Sequence, residues 1–485
     1  MHHDASPPHD VAPGLAQDEA MSAPRALVVA LFAGLLAAGM MPMPAAAVGV
    51  STTKVTQAYL IVATLDVASG RLDAVETITV TNRASHPVDH LNLSVIPRAL
   101  GYLTLDQALT VDGAPTTTAW TTTTNLRVDL HEPLRPNRGV EIRVPFALNV
   151  GTSRGAFSAR LSRENGVISF GEWFPILSRE HDSYGIGDPQ VSWTAEAIRL
   201  ELTTTAPLGR DAVACPGLVS APESTGTQWV CEAEDVRDFS FVVNPRFRLT
   251  MRTVGDTTMR VYTETVSGEV TADKAQVALI GLNQAFGEYP WPDLVLAEVG
   301  SGGGFPMEFP RAIHLTRSKV TDTYVIYHEV AHQWFYAQIG NDQLLEPWLD
   351  EGFADFSARY LMGIGEDQCS SREVDSPMSA WPAGLIDGGD WTSCDGYFHT
   401  VFYKTTEFLN AVRAAMGDAE FFEAMRDFVA THRYRLITSR SLLIHLEGWN
   451  AADLAPIYAA YGFEHRGPDP PPGYRVSPRS RAAPI

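Results

Sequence analysis

Two histidines one helical turn apart, with a glutamate beside the first, are the most chemically telling residues in this chain. The segment Tyr327-His-Glu-Val-Ala-His-Gln-Trp has the pattern HExxH. On a helix His328 and His332 point the same way, so both imidazoles can hold one metal ion. Glu329, next to the first of them, stands where a general base for a water on that metal belongs. A second segment, Glu346-Pro-Trp-Leu-Asp-Glu-Gly-Phe-Ala-Asp, reads as a helix start with Pro347 in its first turn. A turn around Gly340-Asn341-Asp342 lets that helix run back antiparallel to the first and return Glu351 to the metal. Eighteen residues separate His332 from Glu351. Two His and one Glu leave a fourth position open, which is the pattern of a catalytic zinc. Asp355, one turn past Glu351, is expected to accept the free N–H of a ligand imidazole and fix its orientation.

These residues need a rigid frame. Thr321 or Asp322 can cap the HExxH helix. Val325, Ile326, Val330, Ala331, Trp334 and Phe335 give it apolar flanks, so it is a buried helix, where unpaired histidines would be costly. Upstream, Ala272 to Gly287 has apolar residues at helical spacing. Asp293-Leu-Val-Leu-Ala-Glu-Val and Arg311 to Thr316 read as strands on either side of a Gly-rich stretch, Gly300 to Gly304. From Thr321 to about Tyr461 the pattern is mostly helical. Residues 48–265 are different: β-branched or alternating runs such as Tyr59-Leu-Ile-Val-Ala-Thr-Leu and Glu76-Thr-Ile-Thr-Val-Thr, punctuated by Asn, Gly, Pro and Ser. The expected order is therefore multidomain, β then α+β. It runs as an N-terminal extension and signal peptide (1–47), a β-rich sandwich or saddle (48–265), a zinc-binding domain (266–466) and a Pro-rich tail (467–485).

The bulk properties narrow the partners. The chain has 485 residues, 45 % hydrophobic and 19 % charged, which suits two or three globular domains. Its formal net charge of −21 argues against nucleic acid, whose phosphates demand Lys and Arg. Arg25, the apolar run Ala26 to Met41 and the small residues through Ala47 have the form of a cleaved signal peptide, too short to span a bilayer comfortably. Met21 is an alternative start. No later stretch is long and apolar enough to span, so a secreted or extracytoplasmic protein with no stable membrane insertion is expected. Four cysteines fall in two local pairs, Cys215 with Cys231 and Cys369 with Cys394; two disulfides suit an exported chain.

HEVAHQWF, then eighteen residues, then the Glu of WLDEGFA resembles the aminopeptidase N-type gluzincin zinc peptidases. Phe286-Gly-Glu-Tyr-Pro-Trp-Pro is similar to the segment before that family's active-site strand, and Gly171-Glu-Trp-Phe-Pro to part of its saddle-shaped domain. The resemblance spans Val48 to about His465. It implies a thermolysin-like, mainly helical catalytic domain, one Zn2+ per chain, and peptide or protein substrates. The family also carries Gly-x-Met-Glu followed by Asn or an aromatic residue, whose Glu binds the substrate's free α-amine. Here the nearest match is Gly304-Phe-Pro-Met-Glu-Phe, with one extra residue after the Gly. Met307 and Glu308 are the substrate-binding residues that this match implies. Larger members continue into a helical-repeat domain, and this chain stops soon after the catalytic region, so a more open cleft is expected.

The resemblance also exposes a gap. Family members place a Tyr two residues before a Lys-Gly pair to donate to the developing oxyanion. In Val401-Phe-Tyr-Lys-Thr-Thr the donor position holds Phe402, and Thr405 replaces the Gly. Tyr403, Tyr397 and His399 are the nearby groups that could donate instead. The leading expectation is an aminopeptidase, with an endopeptidase of the same chemistry or a weakly active zinc-containing peptide-binding protein as rivals.

Overall fold

A computed structural model describes residues 55–105, 107–152, 160–178, 192–300, 304–343, 346–365, 399–449 and 452–463. The expected signal peptide, the Cys369–Cys394 pair, Tyr397 and the Pro-rich tail lie outside them. All described residues belong to one compact unit, Ala47–Ile485. None of their helices is long and apolar enough to cross a membrane.

Five long strands dominate the first half: β1 (Val55–Asp66), β2 (Arg71–Asn82), β3 (Gly139–Asn149), β4 (Ala195–Gly209) and β5 (Thr225–Val236). They lie side by side in the order β5-β4-β1-β2-β3, and only the β1–β4 pair is parallel. Alternation decides which face is buried. Tyr59, Ile61, Ala63 and Leu65 point inward from β1, while Leu60 and Val62 face solvent. Two four-stranded sheets of shorter strands complete this half, one of them carrying Val167–Phe170 and Phe241–Val243. Phe170 stacks on Phe241 at 4.3 Å between ring centroids, and Trp173 meets Phe241 edge-on. Cys215 and Cys231 are joined as a buried disulfide.

The second half opens earlier than composition suggests. Strands β6 (Arg248–Val254) and β7 (Thr257–Thr263) pair with β8 (Asp293–Val299) and β9 (Ala312–Thr316) in one four-stranded sheet. The expected boundary at residue 265 therefore falls after two strands that hydrogen-bond into the catalytic part. Composition identifies a strand but not its partner, because pairing is a contact distant in sequence. Helix α1 (Gly268–Phe286) leads from this sheet; α2 (Thr323–Ala331), α3 (Glu351–Met362), α4 (Lys404–Met416), α5 (Asp418–His432) and α6 (Ser439–Trp449) follow. A single apolar cluster runs from Tyr59 and Ile61 through Trp173 and Leu279 to Leu446.

One acidic side chain breaks the rule of the sheet. Glu76 points inward from β2, opposite Ile61 and Val144, fully buried, with neither carboxylate oxygen hydrogen-bonded. Glu298, equally enclosed, accepts from the backbone N–H groups of Glu264 and Thr265 at 2.8 and 2.9 Å. Burial holds the Glu76 carboxyl well above its ordinary range. The folded state thus binds a proton that the unfolded chain releases near pH 4.3, and stability falls as pH rises above that value towards the folded pKa. Glu76→Met should raise stability by about 1–3 kcal/mol. Its advantage in thermal unfolding should be larger at pH 8 than at pH 4; an advantage independent of pH would show that Glu76 is not held neutral.

Candidate active site

Local capping builds both ligand helices. Asp322 Oδ1 accepts from Val325 N at 3.2 Å and starts α2. From α1, Thr271 Oγ1 and Lys274 Nζ donate to the carbonyls of Val320 and Thr321, tying the start of α2 to α1. His328 and Glu329 lie within α2, and His332 is its C-terminal cap, still in helical conformation. Pro347 opens a short 3₁₀ turn, Pro347–Leu349, not the α-helix itself. Asp350 then caps α3 by accepting from Glu351 N at 2.8 Å, so the third candidate ligand is the first helical residue. Asn341, in the expected turn, and Gln343, just after it, donate to the same Asp350 carboxylate, which burial and the Glu351 charge push up to about 8.

The return of α3 brings three donor atoms together. His328 Nε2 is 3.1 Å from His332 Nε2 and 3.2 Å from Glu351 Oε2, and the third side of the triangle is 3.5 Å. Ligands about 2.0–2.1 Å from a tetrahedral zinc stand about 3.3–3.4 Å apart, so the set fits zinc without rearrangement. His332 Nδ1 is turned to the Phe335 carbonyl at 3.1 Å, which fixes Nε2 as the donor. Electrostatics also invite a cation. Burial disfavours charge on His332, yet Glu308, Glu351 and Glu329 outweigh it and push the imidazole up to about 10. Burial, and then the Glu308 charge, hold the Glu329 carboxyl well above its usual range, and its Oε2 has no hydrogen-bond partner. A divalent ion in the triangle is the charge that would restore Glu329 to an anion.

Asp355 does not do what spacing suggested. Its carboxylate is fully buried and accepts from the Tyr324 hydroxyl, Arg359 Nε and the Thr406 hydroxyl, none of them a ligand imidazole. Its partners come from α2 (Tyr324), from α3 itself (Arg359) and from α4 (Thr406), and they leave it no bond to either ligand imidazole. His328 is held differently: its ring lies parallel to that of Phe402, at 5.6 Å and 4°, with Tyr324 on it at 5.9 Å. Phe402 belongs to a π-helical turn, His399–Tyr403, that enters α4. Tyr403 lies under the Arg359 guanidinium at 4.8 Å, and His399 is buried. A Cβ on Gly352 would come within 2.4–2.5 Å of the Thr405 side chain, so glycine in α3 is what admits Thr405 here.

The β-rich half forms the other wall. Phe309, directly after Glu308, fills the space of a missing Cβ at Gly171. Glu172, with its backbone in the left-handed region at φ 51°, is buried and close enough to Glu308 for mutual repulsion. Its Oε2 meets Arg160 at 3.3 Å, while Oε1 has no partner. Met307 places its sulfur 3.0 Å from Arg160 Nε. Tyr324 could have been found from the sequence, four residues before His328 on the same helical face. Asp350 had a signal too, an acid at an N-cap. Glu172 had none beyond its motif, because only folding brings it beside Glu308.

An HExxH helix and a second helix that returns a Glu to it form the donor set of a catalytic zinc site, as in zinc metallopeptidases. Residues 310–461 match the model of the peptidase family M1 domain. Solved structures agree in fold. The M1 zinc metallopeptidase from Deinococcus radiodurans superposes with a TM-score of 0.62 at 18 % identity, over 88 % of this chain and 98 % of that one. A point variant of that enzyme bound to a Tyr-Ser-Ala substrate gives 0.62 at 18 % identity, over 87 % and 98 %. A two-domain M1 zinc metallopeptidase variant bound to L-arginine gives 0.60 at 19 % identity, over 87 % and 96 %. Residues 310–461 thus carry a peptidase family M1 domain within a fold that matches the two-domain structures; the domain marks a peptidase, with His328, His332 and Glu351 as its candidate zinc site.

His332→Ala removes one corner of the donor triangle and should lower zinc from about one ion per chain to near none by elemental analysis, with loss of hydrolysis. Glu329→Gln should retain zinc and lose turnover. Full zinc occupancy in His332→Ala would overturn the ligand assignment.

Proposed function

We propose that this peptidase is an aminopeptidase, removing N-terminal residues from peptides with His328, His332 and Glu351 holding the zinc. The observation that carries this reading is the position of Glu308. It is buried against the site, and its charge reaches Glu329, His332 and Glu172. Two acids from opposite walls, Glu308 and Glu172, concentrate negative potential where a substrate ammonium would sit. In a closed site that attraction is stronger than in water. An amine anchored there lays the first peptide bond over the donor triangle.

Zinc, when bound, polarises the scissile carbonyl and acidifies a water. Glu329 accepts the proton of the attacking water and delivers it to the leaving amine. Its buried, unpartnered oxygen suits a base that exchanges protons only with reactants. Phe402 lies against ligand His328 and carries no hydroxyl, so the chain supplies no oxyanion donor from that position. An absent donor typically costs about 10²–10³ in turnover, which makes the enzyme slow rather than inactive.

Acetylating the substrate amine should cut kcat/KM sharply, and Glu308→Ala should erase most of the difference between free and acetylated substrates. Equal cleavage of both by the wild type would favour an endopeptidase. Phe402→Tyr should raise kcat with little change in KM, the mark of a contact made only in the transition state. Tyr403→Phe should change little; if it instead abolishes turnover, Tyr403 is the donor and Phe402 is no deficit.

A further inference from the structure

Glu308 sits one residue before a tight reversal of the chain. Met307 and His314 exchange backbone hydrogen bonds at 2.9 and 2.8 Å, and Ala312 N donates to Phe309 O at 2.9 Å. Arg311 takes the left-handed conformation at φ 61° within that turn. Its side chain pairs with buried Asp293, which also takes Arg260. Arg311, within the turn, thus secures the hairpin to its own sheet. The same turn is tied to the ligand helix by Gln333, the residue after ligand His332.

Gln333 is fully buried. Its Nε2 donates to the carbonyls of Glu308 at 3.3 Å and Phe309 at 3.2 Å. Its Oε1 accepts from Arg311 N at 2.8 Å. The Arg311 N–H can only donate, so the amide orientation is fixed by the turn. Behind it, Gln333 N donates to Val330 O at 3.1 Å, and Gln338 Nε2 donates to Gln333 O at 3.2 Å. One rigid amide thus links three backbone groups beside Glu308, the carbonyls of Glu308 and Phe309 and the N–H of Arg311, to the backbone that carries the metal ligands.

We propose that Gln333 is the positioning residue that sets the distance between the Glu308 carboxylate and the metal-ligand helix, and so the register of the substrate amine against the scissile bond. This rests on the reading of Glu308 as amine anchor. Without Gln333 the hairpin loses its tie to the ligand helix, and Glu308 O and Arg311 N lose their partner in a buried site, while Phe309 O keeps Ala312 N. A shift of about 1 Å there is enough to cost about 10²-fold in reaction rate. The zinc triangle contains no atom of Gln333 and should survive.

The test uses the full chain with zinc bound, assayed on aminoacyl p-nitroanilides and their N-acetyl forms. Gln333→Met keeps the length of the side chain and removes its hydrogen bonds. Gln333→Glu keeps the acceptor for Arg311 N and turns an oxygen on the two carbonyls, and serves if the first variant does not fold. Either should retain about one zinc per chain yet lower kcat/KM on free amines at least tenfold, narrowing the free-to-acetylated ratio. The same change made in Glu308→Ala should produce no further narrowing, since the residue acts through Glu308. An unchanged ratio in the single variant, or equal losses in both backgrounds, overturns the proposal while leaving Glu308 as anchor. If Glu308→Ala itself leaves the ratio at the wild-type value, the anchor reading falls and the role of Gln333 falls with it.

Discussion

Five ionisable side chains crowd one site in this molecule: His328, His332, Glu329 and Glu308, all buried, and Glu351, partly exposed. Crowding acids and imidazoles away from water is electrostatically costly. The strain shows in both directions, with Glu351 held well below its ordinary range by hydrogen bonds from both histidines despite burial, and Glu329 held well above. A divalent cation resolves this, because it neutralises the cluster and satisfies the donor atoms that burial has deprived of water. The rest of the fold can be read as what is required to bring those charges together and keep them there.

The two halves contribute unequal parts. Helices α2 and α3 supply the donor triangle, and their caps fix where each begins. The hairpin before β9 supplies Glu308, and Gln333 joins it to the ligand helix. The β-rich half closes the far wall, with Gly171 admitting Phe309 and Glu172 adding a second acid. None of these contacts is strong in isolation, since a buried hydrogen bond contributes only about 1 kcal/mol net. Their value lies in position, which a catalytic site depends on more steeply than stability does.

Phe402 marks where this chain departs from the pattern it resembles. A phenyl ring over His328 gives that ligand an apolar neighbour, while the nearby carboxylate, Asp355, is committed to Tyr324, Arg359 and Thr406. His328 is thus oriented by stacked rings, and His332 by a backbone carbonyl. Aromatic packing restricts the plane of a ring without tuning its basicity, whereas a hydrogen bond does both. The two ligands are held by physically different means.

The metal set was legible from the chain alone because helical geometry is local: four residues make one turn, and a cap or a proline announces where a helix begins. The same holds for alternation in β1 and β2 and for the apolar flanks of α2. What lay beyond reach was every contact whose partner is distant in sequence. Asp355 has the right spacing to face a ligand, yet its direction is set by Thr406 and Arg359 packing beside it. Strands β6 and β7 look like their β-rich neighbours, yet they pair with β8. Glu172 joins Glu308, and Gln333 meets the hairpin, only once the halves have packed. Local rules fix which backbone groups are satisfied within an element; which side chains meet across elements is a property of the whole packed chain, and tertiary structure alone decided it.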